Sequence, residues 1–344
     1  MTEAAAKMPY VRLGKSGLKV SKIILGCMSY GSSEHQAWIL DEAESIKHVE
    51  YAYSRGINTF DTANVYSDGQ SEVVLGKALR ALNVAREAYV VLTKVYFPLG
   101  RSKTSDLNTP AHVNQHGLSR KHIFASVKAS LERLGLEYVD VLQCHRFDYD
   151  TPIEETMQAL HDVVQAGLAR YVGMSSCHAY QFHQMQNYAI THNLTPFVSM
   201  QNFHNAAYRE EEREMVPTLK IFGTGMIPWS PLMRGFLARP WAAEETTRVK
   251  TDAMYKGRGV HLPDASRKAV NEVVEAIAKQ RGVSMAQVAL AWSISNEFVT
   301  APIVGSTSLD KLAELIDAVH IKLTPEEKKA IDEVYEPRSI VGHQ

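Results

Sequence analysis

One pattern constrains the fold more than any other. From about residue 20 a short apolar, β-branched run ends in small or polar residues, a helix-period stretch follows, and the pair recurs to the end of the chain. The runs are 22–26 (KIILG), 57–61 (INTFD), 89–94 (YVVLTK), 139–145 (VDVLQCH), 171–175 (YVGMS), 197–201 (FVSMQ), 225–230 (GMIPWS) and 300–305 (TAPIVG). Between them, stretches such as 119–134, with Ile123, Val127, Leu131 and Leu134, and 284–294, with Met285, Val288, Ala289 and Trp292, repeat at helical spacing. Strand and helix in strict alternation mean a parallel sheet. Eight such units in 344 residues predict an α/β fold, a (β/α)8 TIM barrel with insertions, since the bare fold needs roughly 250 residues. A doubly wound open sheet is the competing arrangement.

The surplus length has identifiable places. Residues 10–21 alternate polar and apolar around Lys15-Ser16-Gly17, predicting an N-terminal β-hairpin against the barrel floor. Long loops follow strand three (95–117) and strand seven (233–262), and loops of that length are usually functional. A single domain over 8–335 is expected, with 336–344 as a C-terminal tail that either hangs free or folds over the mouth.

Charge and cysteine content exclude several roles. Lys and Arg total 37 against 38 Asp and Glu, a net charge of −1, without the basic excess that binding a phosphate backbone draws on. No apolar run has signal-peptide or membrane-span length, and three cysteines (Cys27, Cys144, Cys177) without a C-x-x-C pair suit a reducing, cytoplasmic setting. The oligomeric state is left open, a monomer included.

In a barrel of this kind chemistry gathers where the strands finish. Strand two ends in Asp61 and leads to Tyr66, strand three ends in Lys94 and strand four in His145. These types compose an acid–base unit. A phenol, with an ordinary pKa of about 10, is a poor proton donor near neutrality, and a neighbouring ammonium is expected to lower it. Asp61 would hold Lys94 charged, and His145 would donate to a carbonyl oxygen gaining negative charge. Each residue alone reads as a cap or a solvated surface group; all four on one face favour carbonyl reduction. A metal site is the weaker reading: His112 and His116 have an H-x-x-x-H spacing but no evident third ligand, and only Asp61 and His145 would serve a metal-dependent hydrolase.

The stretch GINTFDTANVYSDGQSEVVLGKAL (56–79), followed in order by TKV (93–95), QCHRFD (143–148), GMSS (173–176), MQNFHN (200–205) and PWSPL (228–232), resembles the aldo-keto reductase family over roughly 8–335. The likeness is to the fungal and plant-type aryl-alcohol dehydrogenase and potassium channel β subunit branch. It implies an NADPH-dependent oxidoreductase acting on small-molecule carbonyls, with Tyr66 as general acid, Lys94 and Asp61 tuning it, His145 orienting the carbonyl, and no metal. A second possibility is a nucleotide-binding subunit that docks on a membrane protein with little turnover; His145 argues for the enzyme.

No G-x-G-x-x-G follows strand one, so strand ends must hold the cofactor. Trp229 offers a face for nicotinamide, and Ser175 with Gln201 offers bonds to its carboxamide; by the resemblance Ser176 comes next, behind Ser175, because it stands where members often carry Asn or Arg. The resemblance adds Gly26, Met28 and Asp61, then Ser230, Leu232, Arg234 and Gly235 after strand seven. Beyond strand eight, GSTSLDKLAEL (305–315) sets Gly305 and three hydroxyls before a helix, an anion-binding arrangement. Lys311, with Arg248 from the strand-seven loop, would pair with a 2′-phosphate, and Thr307, Lys311 and Glu314 would meet the adenosine half. Leu315 departs from the asparagine that members often carry there. Tyr30, Tyr96, Phe97 and Phe147, with Met28 and Tyr149, are expected to wall the substrate site and to favour flat apolar carbonyls.

Overall fold

In the computed structural model, which describes residues 7–100, 106–243, 247–251 and 265–343, the apolar runs form strands and the helix-period stretches lie as helices outside them. A hairpin of β1 (Tyr10–Arg12) and β2 (Lys19–Ser21) comes first. Then follow β3 (Ile24–Gly26), α1 (Glu42–Ser54), β4 (Thr59–Asp61), α2 (Gln70–Ala81), β5 (Val90–Val95), α3 (Arg120–Leu134), β6 (Val139–Cys144) and α4 (Ile153–Gln165). The second half holds β7 (Ala169–Ser175), α5 (Ala179–Thr191), β8 (Phe197–Gln201), α6 (Met215–Phe222), β9 (Gly225–Met226), α7 (Thr247–Thr251), α8 (Ala265–Arg281), α9 (Met285–Ile294), β10 (Ile303–Val304), α10 (Leu309–Asp317) and α11 (Pro325–Glu333).

Local chemistry sets the helix limits. Ser119 caps α3 by accepting from the His122 N–H, Gly135 ends it at φ +64°, and its buried stripe includes Ile123, Val127, Leu131 and Leu134. Ser284 with Gln287 and Thr324 with Glu327 form reciprocal capping boxes that start α9 and α11.

The strands pair in parallel in the order β10-β3-β4-β5-β6-β7-β8-β9. The two edges then meet: Thr300 N–H donates to Met226 O at 2.8 Å and Ile303 N–H to Pro228 O at 2.9 Å. This closure excludes the open doubly wound sheet and leaves the eight-stranded sheet without a free edge. The two-residue alternation of a strand then decides what faces the axis. Leu92, Val90, Val141, Ile24, Ile227 and Ile303 form one apolar cluster with Leu13 and Val20 of the hairpin, whereas Phe60, Val91, Val95, Leu142 and Cys144 pack outward beneath the helices. The hairpin plugs the floor, where Lys15 N–H donates to Gly223 O at 2.8 Å. Gly14, at φ +58°, is required there, because a Cβ would sit 2.7 Å from Gly223 O.

The tail folds across the mouth. The Tyr149 hydroxyl donates to His343 O at 3.3 Å and Val341 N–H donates to the Tyr208 hydroxyl at 2.9 Å. Among the described residues no helix is long and apolar enough to cross a membrane.

Candidate active site

Counting upward from the plugged floor, β5 turns Val90, Leu92 and then Lys94 inward. Lys94 is therefore a cation inside the barrel, with no exposed surface. Its ammonium has three N–H donors and no acceptor. They go to Asp61 Oδ2 at 2.5 Å, Thr62 O at 2.9 Å and the Tyr66 hydroxyl oxygen at 3.2 Å. Because Tyr66 accepts in that contact, its own O–H is left to donate elsewhere. The His145 ring stands edge-on to Tyr66 with centroids 5.8 Å apart, so the structure brings all four predicted residues together.

Burial works to lower the Lys94 pKa, but the Asp61 charge, Tyr66 and their hydrogen bonds outweigh it and the net movement is upward, so the ammonium stays charged. For Tyr66 the expected direction is reversed. Burial raises the phenol, the Lys94 cation opposes it, and burial wins because Asp61 offsets part of the lysine charge. Tyr66 consequently keeps its proton through neutral pH.

Sequence reasoning missed Gln143. It pairs in register with Lys94, and its amide donates to Asp61 Oδ1 at 3.0 Å. Two positions before His145, which directly follows β6, it was visible to the same alternation that turns Lys94 inward. Gly173 makes room for it, since a Cβ there would lie 3.1 Å from Gln143 Cγ and 2.4 Å from Ser199 Oγ. Gln201, expected at a carboxamide, instead spends its amide nitrogen on Asp61 Oδ1 (2.8 Å) and Gln143 Oε1 (3.0 Å). Asp61 is thus clamped by one ammonium and two amides.

Backbone strain marks the same end of the barrel. Of the eight described non-glycine residues with positive φ, six (Ser67, Asp68, Ser176, Ser230, Met233 and Arg234) leave strand ends at the mouth; Asn83 and Asn193 merely follow helices. The Tyr66 turn is held by neighbouring loops. Ser67 Oγ accepts from Ser32 N–H at 3.0 Å, Asp68 Oδ1 from Gly100 N–H at 2.5 Å, and Asn64 Nδ2 donates to Phe97 O at 2.8 Å.

The walls divide. Phe97 meets His145 at 5.1 Å and Tyr96 at 5.0 Å, and Phe147 meets Tyr149 at 5.0 Å in a separate pair, with Tyr96 and Phe147 half-buried against the outer core. Tyr30 is a correction: it is 1% exposed, packed in the core with its hydroxyl 3.3 Å from His48 Nδ1 on α1, and offers no open wall. The three cysteines are buried, and burial pushes their thiols upward, so they are inert. His112 bonds Thr109, and among the described residues no cluster of three metal-ligating side chains exists.

On the opposite side Trp229 is half-buried, stacked on Phe203 at 4.5 Å, with its indole N–H donating to Ser176 Oγ at 3.2 Å. Arg234 lies 5.8 Å from that ring. Ser175 Oγ donates to Gln201 O at 2.6 Å. Met28, Ser230, Leu232 and Gly235 are half-buried, and buried Gly26 packs beside Ile303 and Val304. Before α10, Ser308 stands at the N-cap without a side-chain cap, leaving the first helical N–H groups uncapped beside exposed Gly305, Thr307, Lys311 and Glu314. Leu315 is buried. The Arg248 side chain, and 252–262 of the strand-seven loop, lie outside the described residues.

Comparison with known proteins agrees with this geometry. Residues 22–336 match the Aldo/keto reductase family. Versiconal hemiacetal acetate reductase of Aspergillus parasiticus is 49% identical over 340 residues, 97% of this chain and 98% of that protein. A Schizosaccharomyces pombe protein named "Putative aryl-alcohol dehydrogenase" is 47% identical over 347 residues, 97% of each chain. Aldo-keto reductase AMT2 of Alternaria alternata is 43% identical over 353 residues, 98% of this chain and 95% of that one.

Proposed function

The chain belongs to the aldo/keto reductase family, and on that premise we propose that it uses NADPH to reduce aromatic or otherwise hydrophobic aldehydes and ketones to alcohols, with Tyr66 as the proton donor. Oxidoreduction of small-molecule carbonyls is the family's chemistry; the cofactor, the residue roles and the substrate class are our reading. The observation that carries it is the direction of one hydrogen bond. Lys94 gives its third N–H to the Tyr66 oxygen, so the phenol O–H is free to donate to a substrate oxygen while the ammonium stabilises the phenolate left behind. His145, edge-on to Tyr66, would fix that oxygen and support its developing charge.

The residues present fit a nicotinamide dinucleotide. The half-buried Trp229 face suits the nicotinamide, Ser175 and Ser176 its carboxamide, and the uncapped N-terminus of α10 a phosphate. Gln201 acts chiefly through Asp61. Lys311, and Arg248 from the strand-seven loop, would take the 2′-phosphate. When bound, the cofactor supplies the hydride. We take 8–335 as one unit carrying the activity, and a cytoplasmic setting suits its buried free thiols.

Substrate preference follows from the wall. Phe97 and Tyr96 beside His145, with the Phe147–Tyr149 pair on the next loop, would offer a surface for a flat apolar body. The test is NADPH oxidation, followed by loss of its absorbance, across benzaldehydes, aliphatic aldehydes and a hydroxylated sugar. Saturable turnover with the aryl compounds supports the proposal. Tight NADPH binding without turnover on any of them favours the nucleotide-binding subunit instead.

A further inference from the structure

The segment after β8 clasps the C-terminal tail at successive points. Glu210 Oε1 accepts from the Tyr335 hydroxyl at 2.5 Å and from Arg338 N–H at 2.7 Å, and the Tyr208 hydroxyl accepts from Val341 N–H at 2.9 Å. The last clasp is of another kind. Glu211 Oε1 meets His343 Nε2 at 3.1 Å, with the two side chains only 4% and 7% exposed. Burial pushes the Glu211 carboxyl up to about 8 and the His343 imidazole down to about 4, each toward its uncharged form. A buried neutral pair avoids the desolvation cost of a buried ion pair.

The other oxygen of Glu211 accepts from Asn202 Nδ2. An amide presents its donor and acceptor on opposite sides, so the bond to Glu211 aims Asn202 Oδ1 at the Ser176 N–H, 2.7 Å away. Ser176 is held at φ +50°, a conformation a serine adopts only where its surroundings enforce it, and its Oγ receives the Trp229 indole N–H. At the tail end Gly342, at φ +93°, lies beside the Trp229 ring, where a Cβ would be in ordinary contact at 3.7 Å. One line of bonds therefore joins the tail to Glu211, Asn202, Ser176 and Trp229.

We propose that Glu211 is a positioning residue for the nicotinamide end of the cofactor, fixing Asn202 and through it the Ser176 turn and the Trp229 indole, and that His343 of the tail locks it in place. The proposal rests on the reading of Ser176 and Trp229 as the nicotinamide wall. It explains why a carboxyl is buried where it touches neither Lys94 nor Tyr66, and it makes the tail part of the cofactor site.

The test compares two ligands by calorimetric titration: NADPH and 2′-phosphoadenosine diphosphoribose, which lacks nicotinamide. Glu211→Leu and His343→Ala should weaken NADPH about tenfold, as expected when a buried group loses its partner, and leave the nicotinamide-free ligand within about twofold. Glu211→Gln, whose amide still accepts from Asn202 and donates to His343, should restore most of the NADPH affinity. A chain ending at Val341 should match His343→Ala, and these two carry the test if Glu211→Leu does not fold. A clasp that only stabilises the fold would lower the melting temperature and leave the ratio of the two affinities unchanged, and that unchanged ratio would overturn the proposal. Wild-type protein that binds neither ligand would instead sink the cofactor reading beneath it.

Discussion

Replacing Tyr66 by phenylalanine removes one oxygen and keeps the ring, including its edge-on contact with His145. The Lys94 ammonium then retains Asp61 and the Thr62 carbonyl but loses its third acceptor. A buried donor left unsatisfied costs about 1–3 kcal/mol, less whatever water entering from the mouth restores. The chemical loss is larger. Positioned proton transfer contributes about 10²- to 10⁴-fold, or about 3–5 kcal/mol of barrier at 1.36 kcal/mol per decade. The two are separable by single-turnover mixing with saturating NADPH and benzaldehyde, run beside a thermal melt and an NADPH titration. The expected result is a rate at least about a hundredfold lower with cofactor affinity nearly unchanged. A rate within about tenfold of wild type would refute the argument, because among the described residues no other hydroxyl is held by the ammonium. The pH profile adds a sign. Burial holds the Tyr66 pKa above the ordinary tyrosine value, and reduction consumes the protonated form, which is present below that pKa and lost above it. Wild-type reduction should therefore stay level through neutral pH and fall only on the alkaline side, whereas alcohol oxidation, which needs the phenolate, should rise there.

Lys94→Met leaves Asp61 charged in the barrel interior with only the Gln143 and Gln201 amides, and should cost about 3–5 kcal/mol in denaturant unfolding at neutral pH. Adding Asp61→Asn should recover part of that loss, and a double variant no more stable than the single would contradict the pairing. Lys311→Ala, on the exposed first turn of α10, should weaken NADPH severalfold more than NADH, and equal losses would remove the 2′-phosphate assignment. For Glu211 the folded pKa of about 8 lies above the unfolded value of about 4.3. Its contribution to stability is thus complete below about pH 4 and is lost as the pH rises toward 8, at up to about 1.4 kcal/mol per unit. Glu211→Gln does not titrate, so its stability relative to wild type should climb across that window and then level off. A difference that stays flat from about pH 5 to 8 would mean that Glu211 is not held protonated.

The barrel was legible because the sequence repeats its own unit, and the closing contacts at Met226 and Pro228 fall within the seventh and eighth apolar runs. Asp61, Lys94 and His145 were legible for the same reason: they end those runs, and the two-residue period sends them inward. Gln143 obeyed the rule and was passed over because it stands inside a run. Tyr30 shows the opposite failure, an aromatic after a strand end that α1 draws into the core through His48. The direction of the Tyr66 shift depends on how deeply the phenol is buried, which no spacing reveals. Glu211 and His343 lie 132 positions apart, in an acidic run and an aperiodic tail, and only the folded tail brings them together.

The site divides into two mechanical parts. Asp61, Lys94, Gln143 and Gln201 occupy the top interior layer of a closed barrel, above apolar layers sealed from below by Leu13, so their positions are fixed by the sheet itself. The ion pair keeps its charge there because every ammonium hydrogen is spent. Tyr66 and Ser176 instead sit where the backbone has left the strands, beside residues in strained conformations, and are held by Ser32, Gly100 and Phe97 on one side and by Asn202 on the other. The charge beside the phenol is therefore carried by the rigid part, while the groups to which the proposed function assigns substrate and cofactor are carried by loops. On the proposed function, substitutions in the loops after β3 and β5, or in the tail, would then re-aim the donor and the nicotinamide wall without disturbing the ion pair, which would separate substrate choice from the chemistry in this fold.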